Sequence, residues 1–253
     1  MTSDVIITYF LLIKVYLVLF LKWAIPLLAA IIFHEVAHAW AAKKLGDETA
    51  DKLGRITLNP IKHIHPIGSI ALPALLYLLK APFIFGYARP VPINYRNLHT
   101  LPRDIALVAA AGPAANIVLI IISALLFNVG SLLPVPWQKT YAEMLVISVG
   151  INTILAAFNM LPIPPLDGSK ILMVYAPNRL AVVLARLQTY GLFLVLGILL
   201  LLPWISELIG FNPLSVFFQT LMNVVFTAIE PLMQLHCLWT QSEACGNLPS
   251  TRP

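Results

Sequence analysis

The sequence predicts an all-α polytopic membrane bundle of about five to six transmembrane helices, with one segment that dips into the bilayer and returns. Three observations support this. Of 253 residues, 59% are hydrophobic and 11% are charged, and mean hydropathy is +0.86; a soluble domain carries about 25% charged residues. Apolar runs recur at close to the length of about 20 residues that a hydrocarbon core requires. Lys and Arg gather in the polar stretches between those runs, as they do in cytoplasmic loops. The net charge of +5 therefore belongs to loops that orient a membrane protein, and no nucleic-acid surface is expected.

The first apolar run covers residues 5–21, interrupted by Lys14, whose long stem allows it to snorkel. Only residues 22–26 separate it from the next run, WAIPLLAAIIFHEVAHAWAA at 23–42. Two spans joined by a tight turn, or one long kinked helix over 5–42, both satisfy this pattern. Two basic loops follow: Lys43, Lys44, Lys52, Arg55 and Lys62, and then Arg89, Arg96 and Arg103 within 87–103. Between them, 66–85 is apolar apart from Lys80. A single crossing there would put the basic flanks on opposite sides, against the positive-inside rule. The segment is expected to be re-entrant, with Gly68, Pro73, Pro82 and Gly86 as its bends. Irregular backbone at that depth needs protein or a wet cavity beside it.

Residues 105–127 read as an uncharged span containing Gly112-Pro113-Ala114-Ala115-Asn116. Proline kinks such a helix, and small residues allow close helix approach. Residues 128–143, with Pro134 and Pro136, read as an external loop. The next span is 145–161, and Lys170, Arg179 and Arg186 mark a return to the cytoplasm. Spans at 187–205 and, shorter, at 214–229 complete the set, the last one crossing or lying at the interface. Residues 1–235 thus form one transmembrane domain with its core at about 24–177, followed by a polar tail, 236–253. The N-terminal MTSD lacks the basic region of a cleavable signal. Cys237 and Cys245 match no zinc spacing.

The chemistry concentrates at His34-Glu35-Val36-Ala37-His38, which supplies the only ionisable side chains in 23–42. Positions i and i+4 share a helix face, so both imidazoles can reach one metal ion. Glu35 projects beside them, toward water. Two imidazole ligands and a carboxylate base are the parts of a zinc peptidase. A bare HExxH also arises by chance. At membrane depth, however, polar groups cost roughly 2–3 kcal/mol each, so three within five residues call for a partner. A catalytic zinc wants three protein ligands and one open position. No histidine follows at metzincin spacing after Ala39-Trp40-Ala41-Ala42. Glu48 lies in a basic loop, and Glu143, Glu207 and Glu230 sit near span ends. Asp167 is the better candidate. Pro162, Pro164 and Pro165 end the preceding helix, Gly168 permits a turn, and the loop charges put it at the depth of the HExxH helix end. Pro-Leu-Asp-Gly also suits a plain turn, which is the alternative reading.

The stretches HEVAHAW, GRITLNPIKHIHPIGS, FGYARPVPIN, AAAGPAAN and FNMLPIPPLDGSKIL, in that order, resemble the site-2 protease family of intramembrane zinc metalloproteases. The likeness covers residues 31–177 and is to the compact bacterial and archaeal type without PDZ or regulatory domains. It implies a core of three transmembrane helices and one zinc ion per chain held by His34, His38 and Asp167, with Glu35 as catalytic acid and base. It also implies that Asn116 and Asn159 hold substrate or polarise its carbonyl. The stretch after the HExxH helix is β-rich in that family, so the re-entrant segment is expected to include a small membrane-associated β-hairpin. An extended substrate would pair with an edge such as 54–58. His65 stands where relatives commonly carry aspartate.

The expected activity is hydrolysis of peptide bonds in or near transmembrane segments of membrane proteins. The expected setting is a multi-pass protein of the cell membrane, its active site toward the cytoplasm. Its partners would be the substrate span, the lipid bilayer and, at most, further copies of itself. The alternative is a non-catalytic metal-binding scaffold or transporter. A scaffold has no need of Glu35, and a transporter needs polar groups along a path that the other spans lack. His63, His65 and His99 are expected to be solvated or bonded to backbone, with His63 and His65 near the mouth of the site.

Overall fold

The computed structural model describes residues 3–80 and 86–234. Among them, five helices are long and apolar enough to cross a membrane. The first, α1 (Ser3–Lys44), decides between the two readings of the N-terminus: it is one helix with Pro26 inside it. No glycine or polar turn cluster lies between Lys22 and Pro26, so nothing there ends the helix. A short α2 (Thr49–Lys52) follows, and then the segment expected to be re-entrant.

That segment does go out and come back, but it is built from helix. A π-helical turn at Pro66–Ala71 leads into α3 (Leu72–Leu78). After Lys80, whose φ of +52° turns the chain, and beyond residues 81–85, the return begins at Gly86. The Tyr87 N–H donates to the Gly68 carbonyl at 3.0 Å, so the two arms meet where they began. The expected β-hairpin is absent: the described residues contain no strand. The returning arm, 86–94, is extended, but Pro90 and Pro92 have no N–H to give to a ladder. The amides of Tyr87, Arg89, Val91 and Asn94 go to scattered acceptors, Gly68 O, His63 O, Glu35 and Asp47. Residues 54–58 form turns and irregular chain and no edge strand. Of the expected bends, Gly68 and Gly86 touch, Pro73 opens α3, and Pro82 lies outside the described residues.

The centre of the bundle is α1, α4 (Arg103–Phe127) and α5 (Val135–Asn159). His38 meets Val108 and Ala30 meets Asn116, so α4 runs antiparallel to α1. Lys22 pairs with Glu143 at one end, and Asn159 lies near His38 at the other, so α5 runs with α1. Much of what these helices bury is small: Ala30, Ala39, Ala42, Ala106, Ala109 and Ala124, beside the larger Ile32, Val108, Ile120 and Val149. Helices in lipid pack by such close approach, because apolar bulk gains nothing by leaving lipid.

α5 begins ten residues before the expected span at 145, because Pro134 and Pro136 sit at its N-terminus, where a missing N–H costs nothing. The expected external loop shrinks to a 3-10 turn at Gly130–Leu132. Beyond α5 come α6 (Asp167–Tyr175), α7 (Asn178–Gln188), α8 (Gly191–Ile209) and α9 (Pro213–Met233). The scattered charges Arg179 and Arg186 do not announce the helical α7. α9, with 21 residues, is long and apolar enough to cross a membrane, and its Ile229 packs with Ile120, Ala124 and Val149 of α4 and α5. The polar tail 236–253, with His236 and both cysteines, lies outside the described residues.

Candidate metal centre

Each ligand candidate arrives on a different kind of support. The helical rise of α1 stacks His34 and His38 one turn apart, their rings edge to face with centroids 4.6 Å apart. Asp167 opens α6, just after the prolines that end α5. α6 packs on α4, which brings the aspartate across to the histidines. The result is a triangle of atoms. His34 Nε2 and His38 Nε2 are 3.0 Å apart, and Asp167 Oδ2 lies 3.2 Å from the first and 3.1 Å from the second. All three residues are buried.

The other nitrogen of each ring shows what the triangle is for. His38 Nδ1 lies 2.7 Å from the Val108 carbonyl, which can only accept, so Nδ1 carries a proton. His34 Nδ1 lies 2.7 Å from Asn116 Oδ1. The Asn116 amide is oriented by its NH₂, which donates to the Ala30 carbonyl at 3.2 Å and to Asn152 Oδ1 at 2.8 Å. His34 Nδ1 therefore donates too. With both protons on Nδ1, both Nε2 lone pairs face a carboxylate oxygen. Three lone pairs at this spacing repel unless a cation or added protons sit among them. Tetrahedral zinc with ligands at 2.0–2.1 Å spaces them about 3.3 Å apart, so the donor set fits a metal ion after a shift of a few tenths of an ångström.

Asn116, expected to hold substrate or polarise its carbonyl, contacts His34 Nδ1, the Ala30 carbonyl and Asn152. It is fully buried with all its polar atoms engaged, and it does not line the cavity. Behind it a polar chain continues: Asn152 donates to the Ser148 carbonyl at 2.8 Å, and the Ser148 hydroxyl lies 2.9 Å from that of Ser123. Asn159 does line the cavity, with its Nδ2 donating to the Leu155 carbonyl at 3.0 Å.

The cavity has a volume of about 590 Å³, and its wall carries the triad, Glu35, Asn159 and Lys170 among apolar side chains. Glu35 is half-buried, and its Oε2 accepts the Val91 N–H at 2.8 Å. The extended arm is thus held directly over the expected base. Arg55 grips the arm through the carbonyls of Arg89 and Pro90. Asp47 holds its far end, accepting the Asn94 N–H at 2.7 Å and the Asn97 amide at 2.9 Å. Burial works against ionisation of Asp47, but hydrogen bonds from Thr49, Asn97 and Asn94 outweigh it and hold the carboxyl below its usual range.

Lys170 Nζ lies 2.8 Å from Asp167 Oδ1, the oxygen turned away from the histidines. Burial opposes the charge on Asp167, and the Lys170 ammonium beside it favours that charge. Burial likewise opposes the Lys170 ammonium, and the neighbouring Asp167 charge raises it above its ordinary value.

Several of these residues escape a reading of sequence alone. Gly112 is the sharpest case. A Cβ there would lie 2.4 Å from His38 Nε2 and 2.6 Å from His34 Cε1, so only glycine lets α4 pass the imidazoles. Asn152 carries a readable sign, a lone amide on the buried face of an apolar helix, four residues after Ser148. Val108 carries none, because it contributes a backbone carbonyl. His63 and His65 bond to backbone as expected, and neither lines the cavity: His63 Nε2 donates to the Thr57 carbonyl, and His65 Nδ1 accepts the Gly68 N–H at 3.0 Å. His65 thereby caps the first turn at Pro66, the work an aspartate does at an N-cap.

No family model matches the chain, and no solved structure does. Three curated relatives each carry the name "Putative zinc metalloprotease". YwhC of Bacillus subtilis is 36% identical over 183 residues, 71% of this chain and 80% of the relative. Rip2 of Mycolicibacterium smegmatis is 31% identical over 187 residues, 72% of this chain and 69% of the relative. MJ0611 of Methanocaldococcus jannaschii is 30% identical over 167 residues, 65% of this chain and 75% of the relative. These relatives are members of the site-2 protease family, and likeness of this extent, joined to five apolar helices and a His-His-Asp cluster, means that the chain belongs to that family.

Proposed function

We propose that this protein is an intramembrane zinc endopeptidase that hydrolyses peptide bonds in or near transmembrane segments of other membrane proteins. The observation that carries the reading is the convergence of His34 Nε2, His38 Nε2 and Asp167 Oδ2 on one point, with Glu35 on the wall of the same cavity. His34, His38 and Asp167 would hold one zinc ion. When bound, zinc polarises a carbonyl and makes water acidic enough to attack it near neutral pH.

The chain's own residues do the rest. Glu35 takes the proton from the attacking water on a carboxylate oxygen and passes it to the departing amine nitrogen. For that, its oxygens must be free of the Val91 N–H or share it. Asn159, on the cavity wall, orients the substrate backbone. Asn116 keeps the His34 ring in its working tautomer and orientation. Apolar walls from Ile31, Leu155, Phe158 and Val195 keep bulk water from the reacting carbonyl while admitting a lipid-soluble chain.

A cavity of about 590 Å³ belongs to the class that encloses a drug-sized molecule. A helix about 10–12 Å across does not fit it. The substrate span must therefore unwind locally and enter as a short extended stretch. Lys43, Lys44, Arg55, Lys62, Arg89 and Arg96 cluster in the loops at the metal end of the bundle, which supports a multi-pass protein of the cell membrane with its site toward the cytoplasm.

The test is cleavage of a panel of single-span substrates by purified protein in lipid nanodiscs, with metal content measured on the same samples. Glu35→Gln is expected to abolish cleavage while keeping one zinc per chain, because the base is not a ligand. A zinc-loaded Glu35→Gln protein that cuts at anything near the parent rate would remove Glu35 from the chemistry.

A further inference from the structure

Catalytic zinc needs one position that the protein leaves empty. His34 and His38 contribute one nitrogen each, so the number of open positions depends on Asp167. A carboxylate can bind a metal through one oxygen or through both. Bound through both, Asp167 would take up the fourth place as well, and water or a substrate carbonyl could join only by raising the ion to higher coordination.

The structure divides the two oxygens. Oδ2 faces both histidine nitrogens at 3.1 and 3.2 Å, while Oδ1 is taken by Lys170 Nζ at 2.8 Å. The division is built into α6. Residues three apart lie on one helix face, so an aspartate that starts the helix meets a lysine one turn on. Ordinary surface pairs of this kind contribute little, but this one is not at the surface. Asp167 is buried, and the Lys170 side chain is about one-quarter exposed, with its contact on the wall of the metal cavity. Both histidine contacts of Asp167 are made by Oδ2, and Oδ1 makes its contact with the lysine.

We propose that Lys170 is a positioning residue for the metal: by holding Oδ1, it makes Asp167 a one-oxygen ligand and keeps the fourth coordination position open. The inference rests on the reading of His34, His38 and Asp167 as ligands. The ammonium also withdraws charge from the carboxylate, which leaves the ion a stronger Lewis acid. The substitution Lys170→Arg keeps the charge and a donor for Oδ1, whereas Lys170→Gln and Lys170→Met remove the charge.

The experiment uses the full chain in lipid nanodiscs, stripped of metal and reloaded with Co²⁺, whose visible absorption is strong in four-coordinate sites and weak at higher coordination. The samples are the parent, Lys170→Arg, Lys170→Gln, Lys170→Met and Asp167→Asn. Zn²⁺ affinity is measured in parallel by chelator competition. The parent and Lys170→Arg are expected to show the strong four-coordinate spectrum. Lys170→Gln and Lys170→Met are expected to lose most of that intensity, because a two-oxygen Asp167 together with water raises the coordination number, while retained Zn²⁺ affinity shows that the ligands still hold the ion. Methionine retains the apolar stem, so Lys170→Met decides the outcome if Lys170→Gln fails to fold.

Parent-like spectra in both neutral variants would overturn the inference, even if cleavage fell, because the lysine would then act on substrate and not on the ligand. Asp167→Asn separates the two levels. If it loses the cobalt site while the neutral lysine variants keep theirs, only the role of Lys170 fails. If it too retains the parent site, the ligand set itself is wrong.

Discussion

The two halves of α1 are one continuous helix and behave as two different objects. In the first half, Tyr9, Phe10, Ile13, Tyr16 and Phe20 are bulky and all more than half exposed. In the second, Ala30, Ala39 and Ala42 are fully buried, and His34 and His38 are nearly so. The larger hydrophobes are the ones left outside. In water this would be a folding defect, but in a chain that lies in lipid, apolar bulk has no reason to seek the interior. What draws the second half inward is smallness and polarity. Alanines let α4 and α5 come close, and two imidazoles need the Val108 carbonyl, Asn116 and Asp167.

The sharpest way to break this contrast is at the closest approach. Gly112→Ala puts a methyl group against both imidazoles, and it is expected to reduce bound metal from one per chain to near zero with loss of all cleavage. Metal analysis after dialysis against a weak chelator checks this; full retention would mean that α4 can retreat without disturbing the ligands. Asn116→Ala is the next largest. It removes the acceptor from His34 Nδ1 and is expected to weaken zinc binding about 10–100-fold. Unchanged competition against a chelator would show that the amide is only packing.

Lys22→Met tests the boundary between the halves. Its ion pair with Glu143 is partly exposed, and such pairs contribute about 0–1 kcal/mol. A small fall in thermal midpoint with unchanged zinc content is expected; zinc loss would mean that the pair sets the register of α1 against α5. Phe10→Ala is expected to change neither zinc content nor thermal midpoint. A drop in midpoint would show that the exposed half packs against something in the membrane.

What sequence reveals and conceals in this molecule has a physical pattern. HExxH is legible because ionisable groups in an apolar run are costly, and Asp167 because prolines and a glycine shape its approach. The out-and-back path of 66–94 follows from the charge of its flanks. Its secondary structure does not, since an extended, apolar, proline-bearing arm reads like a strand until its amides are traced to acceptors in four different places. Pro134 and Pro136 read as a loop because proline breaks helices, yet at a helix start it breaks nothing. Asn116 stands out in its apolar helix, but spacing does not say whether an amide points into a cavity or at the back of a ligand. Val108 leaves no trace, as a carbonyl has no residue type.

The unbroken course of α1 also works as a ruler. At about 1.5 Å per residue, the 21 residues from Lys22 to Lys43 measure about 31 Å, close to the roughly 30 Å of a hydrocarbon core. Charges at Lys22 and Lys43 therefore bracket a stretch of about one membrane thickness along α1. On this scale, His38 lies about 8 Å from the Lys43 end and His34 about 18 Å from the Lys22 end. The His-His-Asp cluster thus sits off the middle of that stretch, nearer its lysine-rich end.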